Sequence, residues 1–393
     1  MDSSVETLLA LCCPGLVTGS GSPPGLRNPG LMEDVCQRAL RHGLAPLVAD
    51  RLRTLDLLDL VPSPVRQDLE SSYIETFAKN QACLLELGRL GEIFRKLDLE
   101  FLILKGMALT ATVYRDPGLR PMDDVDILVA PDQWDQAVST LEDSGFRRLS
   151  IPESPLAGRL KEREIRTMAT YRKGVLVVDL HSRIGKTGEP MLSFDLMNTG
   201  ARTRTLESLA LVCPAPEPML LHLLLHLDKH MHRGLARLSN LVDILRFVSD
   251  PDTSVDWEGF RDLCRHTGSE SLCAGWLHVL RHRFRRPVPA VFPEHTPRQN
   301  TETNLERWLE RADRPELELI PPWRRSTYRM ARGPGEKVRF TLSVLFPSFA
   351  YMRYAYGIRS RLALVWFHPY RIIDRGIRYL GAKRRTRRER KTH

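Results

Sequence analysis

Three short apolar segments follow a long stretch of helical sequence, and this order limits the chain to helices packed on a small β-sheet. Apolar residues recur at helical spacing before residue 100, which predicts one long helix over residues 63–96. Residues 101–104 and 125–129 are short and mostly apolar, as buried strands are. Residues 168–181 read as a β-hairpin that turns at Gly174. The expected fold class is α+β or α/β, with a small mixed sheet, flanking helices and a mainly helical region after it.

The chain of 393 residues is long enough for two or three domains. Glycine, proline and serine are frequent before residue 31, and proline, arginine and glutamate are frequent after residue 285. Helical periodicity returns between these two stretches, after the predicted strands. We predict a flexible lead-in (1–33), an N-terminal helical layer (34–99), a core that carries the sheet (100–205), a helical domain (206–290), a linker (291–335) and a basic aromatic C-terminal region (336–393).

Cysteine usage and hydropathy limit the compartment. The seven cysteines include no Cys-x-x-Cys pair, which favours a reducing environment. The uncharged stretch from Thr7 to Leu26 is interrupted by prolines and glycines, so it is a poor signal peptide. No apolar run approaches the roughly 18 residues that a membrane-spanning helix needs. The expected location is the cytoplasm, with peripheral attachment to a membrane left open.

Positive charge is concentrated at the C-terminal end. The net charge is +10, yet residues 333–393 alone carry fifteen lysines and arginines against three acidic residues. Aromatic side chains are interleaved with these arginines between Phe346 and Tyr370. Such a composition suits an anionic membrane surface or RNA, and both partners stay open for the C-terminal region.

Paired carboxylates supply the clearest chemical signal. Asp124 and Asp126 lie at the start of a predicted strand, and the two-residue period of a strand places them on one face. A third acid, Asp179, lies in an otherwise apolar predicted strand. If the two strands are neighbours, the three carboxylates form a two-metal site of the kind used in phosphoryl or nucleotidyl transfer. Oxygen ligands favour Mg²⁺ or Mn²⁺ over zinc.

A turn between a strand and a helix offers a place for phosphate. Lys105 and Gly106 follow the first predicted strand and precede a segment compatible with a helix. The amide groups of such a turn can bind phosphate oxygens, and the lysine adds a positive charge. A lysine-glycine pair by itself indicates only a turn. Its order relative to the acidic strands makes the phosphate hypothesis more specific.

Together these motifs resemble the polymerase-β-like nucleotidyltransferase superfamily, and within it a largely uncharacterised branch. The resemblance is carried by Leu104-Lys105-Gly106, Tyr114, Arg120 and Asp124-Val125-Asp126-Ile127-Leu128-Val129, and it extends over roughly residues 38–250. It implies a nucleotidyltransferase fold in which Asp124, Asp126 and Asp179 are the catalytic metal ligands. It also implies that Lys105, Gly106 and Arg120 bind the triphosphate of an NTP.

Two functions follow as hypotheses. The first is a Mg²⁺-dependent (or Mn²⁺-dependent) nucleotidyltransferase that moves a nucleoside monophosphate from an NTP to the hydroxyl of an unidentified acceptor and releases pyrophosphate. The second is a non-catalytic module that keeps the fold and attaches to an anionic membrane or RNA through its C-terminal region. The intact acidic residues favour the enzyme.

Overall fold

A computed structural model of the chain describes residues 3–13, 26–149, 168–185, 190–233, 235–293 and 300–309, together with residues 296, 335 and 338. These residues divide into two compact units. The first unit consists of Met1–Arg148, Thr167–Asp228 and Arg237–Arg307. The second consists of Leu149–Arg166, Lys229–Ala236 and Trp308–His393, and most of it lies outside the described residues. The predicted basic aromatic region and most of the predicted linker therefore lie outside the description as well.

A five-stranded mixed sheet forms the centre of the first unit. Its strands lie in the order β1-β2-β5-β4-β3, and β2 and β5 are its parallel pair. A separate two-stranded antiparallel sheet contains β6 and β7. The strands are β1 (Phe101–Leu104), β2 (Val125–Val129), β3 (Arg147–Arg148), β4 (Met168–Lys173), β5 (Leu176–His181), β6 (Arg202–Leu206) and β7 (Leu209–Cys213).

The strands form where apolar side chains can be buried on the sheet. All five residues of β2 are buried, which explains why its sequence is apolar apart from one aspartate. The β4–β5 hairpin turns at Gly174, whose φ of 57° lies in the left-handed region that favours glycine. The mixed sheet with flanking helices confirms the predicted fold class.

Helices surround the sheet and account for most of the remaining described residues. The long helix predicted over residues 63–96 is confirmed with the same bounds. The α-helices are α1 (Ser3–Cys12), α2 (Pro29–Arg41), α3 (Ala45–Thr54), α4 (Ser63–Lys96), α5 (Lys105–Leu109), α6 (Trp134–Asp143), α7 (Phe194–Asn198), α8 (Pro216–Arg233), α9 (Leu238–Phe247), α10 (Trp257–His266), α11 (Glu270–His282) and α12 (Thr301–Leu309). A π-helical turn, Thr110–Tyr114, continues α5.

The N-terminal segment departs from the prediction of a flexible lead-in. Residues 3–12 form helix α1, and Leu8, Leu9 and Leu11 in it are buried. The glycines and prolines that suggested a loose segment begin only at Pro14, after the helix has ended. Burial of the apolar side chains of α1 stabilises the helix, so this part of the predicted lead-in belongs to the folded core.

Two further features of the structure concern the cysteines and the hydropathy of the helices. All seven cysteines lie in the described part of the chain, and each is buried with a free thiol. None of the helices that the structure describes is both long and apolar enough to cross a membrane.

Candidate active site

The pairing of β2 with β5 brings two of the predicted acidic residues together. These strands run parallel, and Asp126 lies directly opposite Asp179 in the register. His181 follows two residues later on the same face of β5. Ligand atoms of Asp126, Asp179 and His181 all lie within 4.8 Å of one another. This group is therefore the centre of the candidate site.

Asp124 lies at the margin of this group. It immediately precedes Val125, the first residue of β2, and its side chain is partly buried. Burial, followed by the negative charges of Asp126 and Asp179, raises the pKa of Asp124 to about 6. The three carboxylates that the sequence singled out thus interact electrostatically.

Hydrogen bonds fix the two central carboxylates. The Nζ atom of Lys105 lies 2.7 Å from Oδ1 of Asp126. Nε2 of His181 lies 3.0 Å from the same oxygen. The hydroxyl of Thr170, on β4, donates to Oδ1 of Asp179 at 2.6 Å. Each central carboxylate therefore keeps one oxygen, Oδ2, outside these contacts.

The charge of Asp126 is stabilised in spite of burial. Burial alone would raise the pKa of its carboxyl group, but the positive charge of Lys105 and the hydrogen bond from His181 outweigh burial. The pKa of Asp126 is held well below its ordinary value. Lys105 and His181 therefore favour the ionised form of Asp126.

The start of α5 is packed against Arg120. A Cβ atom built on Gly106 would lie 2.6 Å from Nη1 of Arg120 and 2.8 Å from Sδ of Met122. Such distances are far below a normal contact, so a side chain at position 106 would force Arg120 and Met122 to move. The structure thus gives Gly106 a packing role.

Arg120 is held in turn by a buried carboxylate on helix α9. Nε of Arg120 donates to Oδ1 of Asp243 at 3.0 Å, and Nη2 donates to Oδ2 at 2.7 Å. The hydroxyl of Tyr114 donates to Oδ1 of the same carboxylate at 2.8 Å. Only Nη1 of Arg120, the nitrogen next to Gly106, stays outside this pair of hydrogen bonds.

The loop before β2 is anchored to the long helix α4. Nδ2 of Asn80 donates to the carbonyl oxygens of Pro117 and Arg120 at 2.7 and 3.0 Å. Nζ of Lys79, the preceding residue, lies 2.5 Å from the carbonyl oxygen of Met122. Because this loop leads directly into Asp124, α4 fixes the approach to the acidic residues.

Asp243 and Thr170 were not among the site residues predicted from the sequence. Asp243 is an acid inside an apolar helix, and a buried acid requires a partner, so this signal was present in the sequence. Thr170 lies directly opposite Asp179 in the β4–β5 register, a contact that only the pairing of the strands shows. Both residues orient groups of the candidate site.

The donor set suits a hard divalent cation. Asp126 and Asp179 each offer an oxygen and His181 a nitrogen, while Asp124 lies outside this group of three and interacts with its carboxylates electrostatically. Carboxylate oxygens favour Mg²⁺ and Mn²⁺, and an imidazole is better tolerated by Mn²⁺. The residues present therefore fit the cation that the motif predicts.

A comparison with known families confirms the resemblance to an uncharacterised branch of nucleotidyltransferases that the sequence indicated. Residues 30–285 match the family described as uncharacterised nucleotidyltransferase, and the chain belongs to that family. Among proteins of curated function, none matches the chain.

Structures of two proteins connected with antibiotics are among the solved structures that are remotely similar to the chain. The antibiotic-resistance factor ANT(2'')-Ia is 14% identical, and the match covers 52% of this chain and 92% of that one with a TM-score of 0.29. Its complex with adenylyl-2''-tobramycin is 15% identical, with 51% and 96% covered and a TM-score of 0.29. The lincosamide antibiotic adenylyltransferase LnuA, bound to lincomycin, is 15% identical, with 35% and 82% covered and a TM-score of 0.25.

The raised pKa of Asp124 predicts a pH-dependent gain in stability when this residue is replaced. The pKa is about 6 in the folded protein and about 3.9 in an unfolded chain. The group thus stabilises the fold fully below about pH 4, and this contribution is lost as the pH rises through about 6. Asp124→Asn should therefore stabilise the metal-free protein near pH 8 by up to about 3 kcal/mol and have no effect below pH 4.

Urea denaturation in EDTA across this pH range measures the effect. Asp132→Asn is the matched control, because Asp132 is an exposed acid in the turn Pro131–Gln133. A gain from Asp124→Asn that does not change with pH would show that its cause is not the titration of this carboxyl group.

Proposed function

We propose that the protein transfers a nucleoside monophosphate from an NTP to an acceptor hydroxyl and releases pyrophosphate, with Mg²⁺ or Mn²⁺ as its cation. The observation that carries this proposal is the register of β2 and β5, which sets Asp126 opposite Asp179 with His181 beside them. Membership in the nucleotidyltransferase family supports the same reaction.

In this proposal the acidic residues hold the cation and assist the attack. Asp124, Asp126 and Asp179 would hold the cation, which would polarise the α-phosphate and stabilise the charge that develops on its oxygens. Asp179 also accepts the proton of the attacking hydroxyl. Thr170 occupies only its Oδ1, so Oδ2 is the oxygen that we assign to the proton. The hydroxyl oxygen bonds to the α-phosphorus as the bond to the β-phosphate breaks.

In the same proposal, the triphosphate binds next to the acidic residues, at the turn between β1 and α5 and at Arg120. Lys105 brings a positive charge to Asp126, and Arg120 places Nη1 against Gly106 at the start of α5. We propose that Lys105, Gly106 and Arg120 together position the triphosphate. Orientation of the leaving pyrophosphate in line with the attacking oxygen is the main catalytic service of such contacts.

Labelled nucleotides test the reaction. The full chain is incubated with each NTP, labelled at either the α- or the γ-phosphate, with Mg²⁺ and a fraction of small molecules from a cell extract. The α-label should join an acceptor, and the γ-label should appear in pyrophosphate.

Asp132→Asn is the matched control for this assay, because Asp132 is an exposed acid in the turn Pro131–Gln133, and it should leave transfer unchanged. Transfer of the γ-label to an acceptor would indicate a kinase and contradict the proposal.

The remaining assignments rest on sequence. Attachment of residues 336–393 to an anionic membrane or RNA, and a cytoplasmic location, stay predictions, since the C-terminal region lies almost wholly outside the described residues. The identities of the NTP and of the acceptor follow from the labelling experiment.

A further inference from the structure

Lys105 is held inside the acidic group. Its Nζ atom lies 2.7 Å from Oδ1 of Asp126, and the two side chains are only 19% and 5% exposed. An exposed lysine would leave its ammonium in water, where a surface ion pair contributes little. A lysine this deeply enclosed acts as a fixed positive charge beside the carboxylates.

The backbone supports this placement. Leu104 is the register partner of Asp126 across β1 and β2, so the chain leaves the sheet at Lys105, directly beside that carboxylate. The φ of Lys105 is 43°, in the left-handed region that is unfavourable for a residue with a side chain. Unfavourable backbone conformations that persist in folded proteins are concentrated at functional sites.

The contacts of Asp126 restrict how many cations it can hold. Its Oδ1 lies within hydrogen-bond distance of both Lys105 Nζ and His181 Nε2. A carboxylate bridges two cations most readily when it offers one oxygen to each of them. With Oδ1 engaged by these two side chains, Asp126 has only Oδ2 for a divalent cation.

The position of Lys105 also disfavours a second cation next to Asp126. A second divalent cation next to the ammonium would add repulsion between like charges at short range.

We propose that the ammonium group of Lys105 takes the place of the second divalent cation, so that the nucleotidyl transfer proposed above uses one metal ion and one lysine. An ammonium has three N–H donors. One binds Asp126, and the others are directed to phosphate oxygens of the NTP. Lys105 thus links the carboxylate to the triphosphate, which is the task of the second cation in two-metal sites. This inference rests on the proposed function.

Counting bound Mn²⁺ tests the inference without measuring turnover. The full chain is titrated with Mn²⁺ in the presence of a saturating NTP analogue whose α,β-bridge cannot be cleaved, and binding is followed by calorimetry and electron paramagnetic resonance. The wild-type protein should bind one Mn²⁺ with the spectrum of an isolated ion. Lys105→Met should bind two ions with the coupled spectrum of a pair roughly 4 Å apart.

Lys173→Met is the matched control. Lys173 is also paired to a carboxylate, Glu86, at 2.9 Å, but it contacts none of the three acids. It should keep one isolated Mn²⁺. Lys105→Gln also removes the positive charge and should bind two ions, which keeps the test informative if Lys105→Met does not fold.

The outcomes separate this inference from the proposed function. A coupled Mn²⁺ pair in the wild-type protein, with nucleotide transfer intact, overturns the role of Lys105 and leaves the reaction standing. A single Mn²⁺ in folded Lys105→Met also overturns that role. A wild-type protein that binds no Mn²⁺ and transfers no nucleotide overturns both.

Discussion

Asp126→Asn should lower the rate of nucleotide transfer at least about 100-fold while the protein remains folded, because it removes the central charge of the site. Asparagine has the size of aspartate and keeps an oxygen to accept hydrogen bonds from Lys105 and His181. It cannot supply the negative charge that holds a divalent cation. Asp126→Asn should therefore weaken cation binding and slow the chemical step, and the shape of the site should persist.

Initial rates of α-label transfer and a thermal melt, measured on the same preparation, check this expectation. The affinity for Mn²⁺ should fall together with the rate. Asp132→Asn, an exposed acid three residues beyond β2, should match the wild type in both rate and melting. A folded Asp126→Asn variant with full activity would contradict the assignment of Asp126 to the catalytic centre.

The individual strands of the sheet could be predicted from the sequence because each carries a local signal. Val125–Val129 is apolar enough to be buried on all sides, and the β4–β5 hairpin turns at a glycine with positive φ. No local signal in the sequence shows which strand lies next to which. The parallel pairing that sets Asp126 opposite Asp179 joins residues more than fifty positions apart and depends on packing of the whole unit.

Strand β6 and helix α1 were not predicted, because their sequence signals are weak or are obscured by neighbouring residues. Strand β6, Arg202–Leu206, is mostly exposed and alternates arginine with threonine, so it lacks the buried apolar face on which strand prediction relies. The threonines of β6 and its short connection to β7 were the available signs of a strand. Helix α1 is short and is followed directly by a stretch rich in glycine and proline, which obscures its helical signal.

The candidate site shows the same division between local and long-range information. The two-residue period of a strand, a local property, predicted that Asp124 and Asp126 share a face, although Asp124 lies immediately before β2. Other contacts of the site join distant parts of the chain: Asp243 lies more than a hundred residues after Arg120, its partner. Periodicity cannot identify such a pair. An acid in an apolar helix predicts that a partner exists without naming it.

Asp243→Ala should destabilise the protein by about 3–5 kcal/mol, because it leaves a buried guanidinium without its counter-charge. The side chains of Asp243 and Arg120 are only 3% and 14% exposed. The variant removes two hydrogen bonds from Arg120 and one from Tyr114. Asp252→Ala is the matched control: Asp252 pairs with Arg115 at 2.8 Å but is 68% exposed, so its loss should cost less than about 1 kcal/mol.

Urea denaturation of both variants measures the difference, and nucleotide transfer by the folded fraction shows its consequence. Because Asp243 holds Arg120 against Gly106, the active fraction of Asp243→Ala should have a raised KM for the NTP. Asp243→Asn keeps an oxygen acceptor, so its free energy of unfolding should lie between those of Asp243→Ala and Asp252→Ala. Equal destabilisation by Asp243→Ala and Asp252→Ala would show that the buried pair does not anchor the loop. The position of Arg120 beside Gly106 would then depend on Asn80 and helix α4 instead of on helix α9.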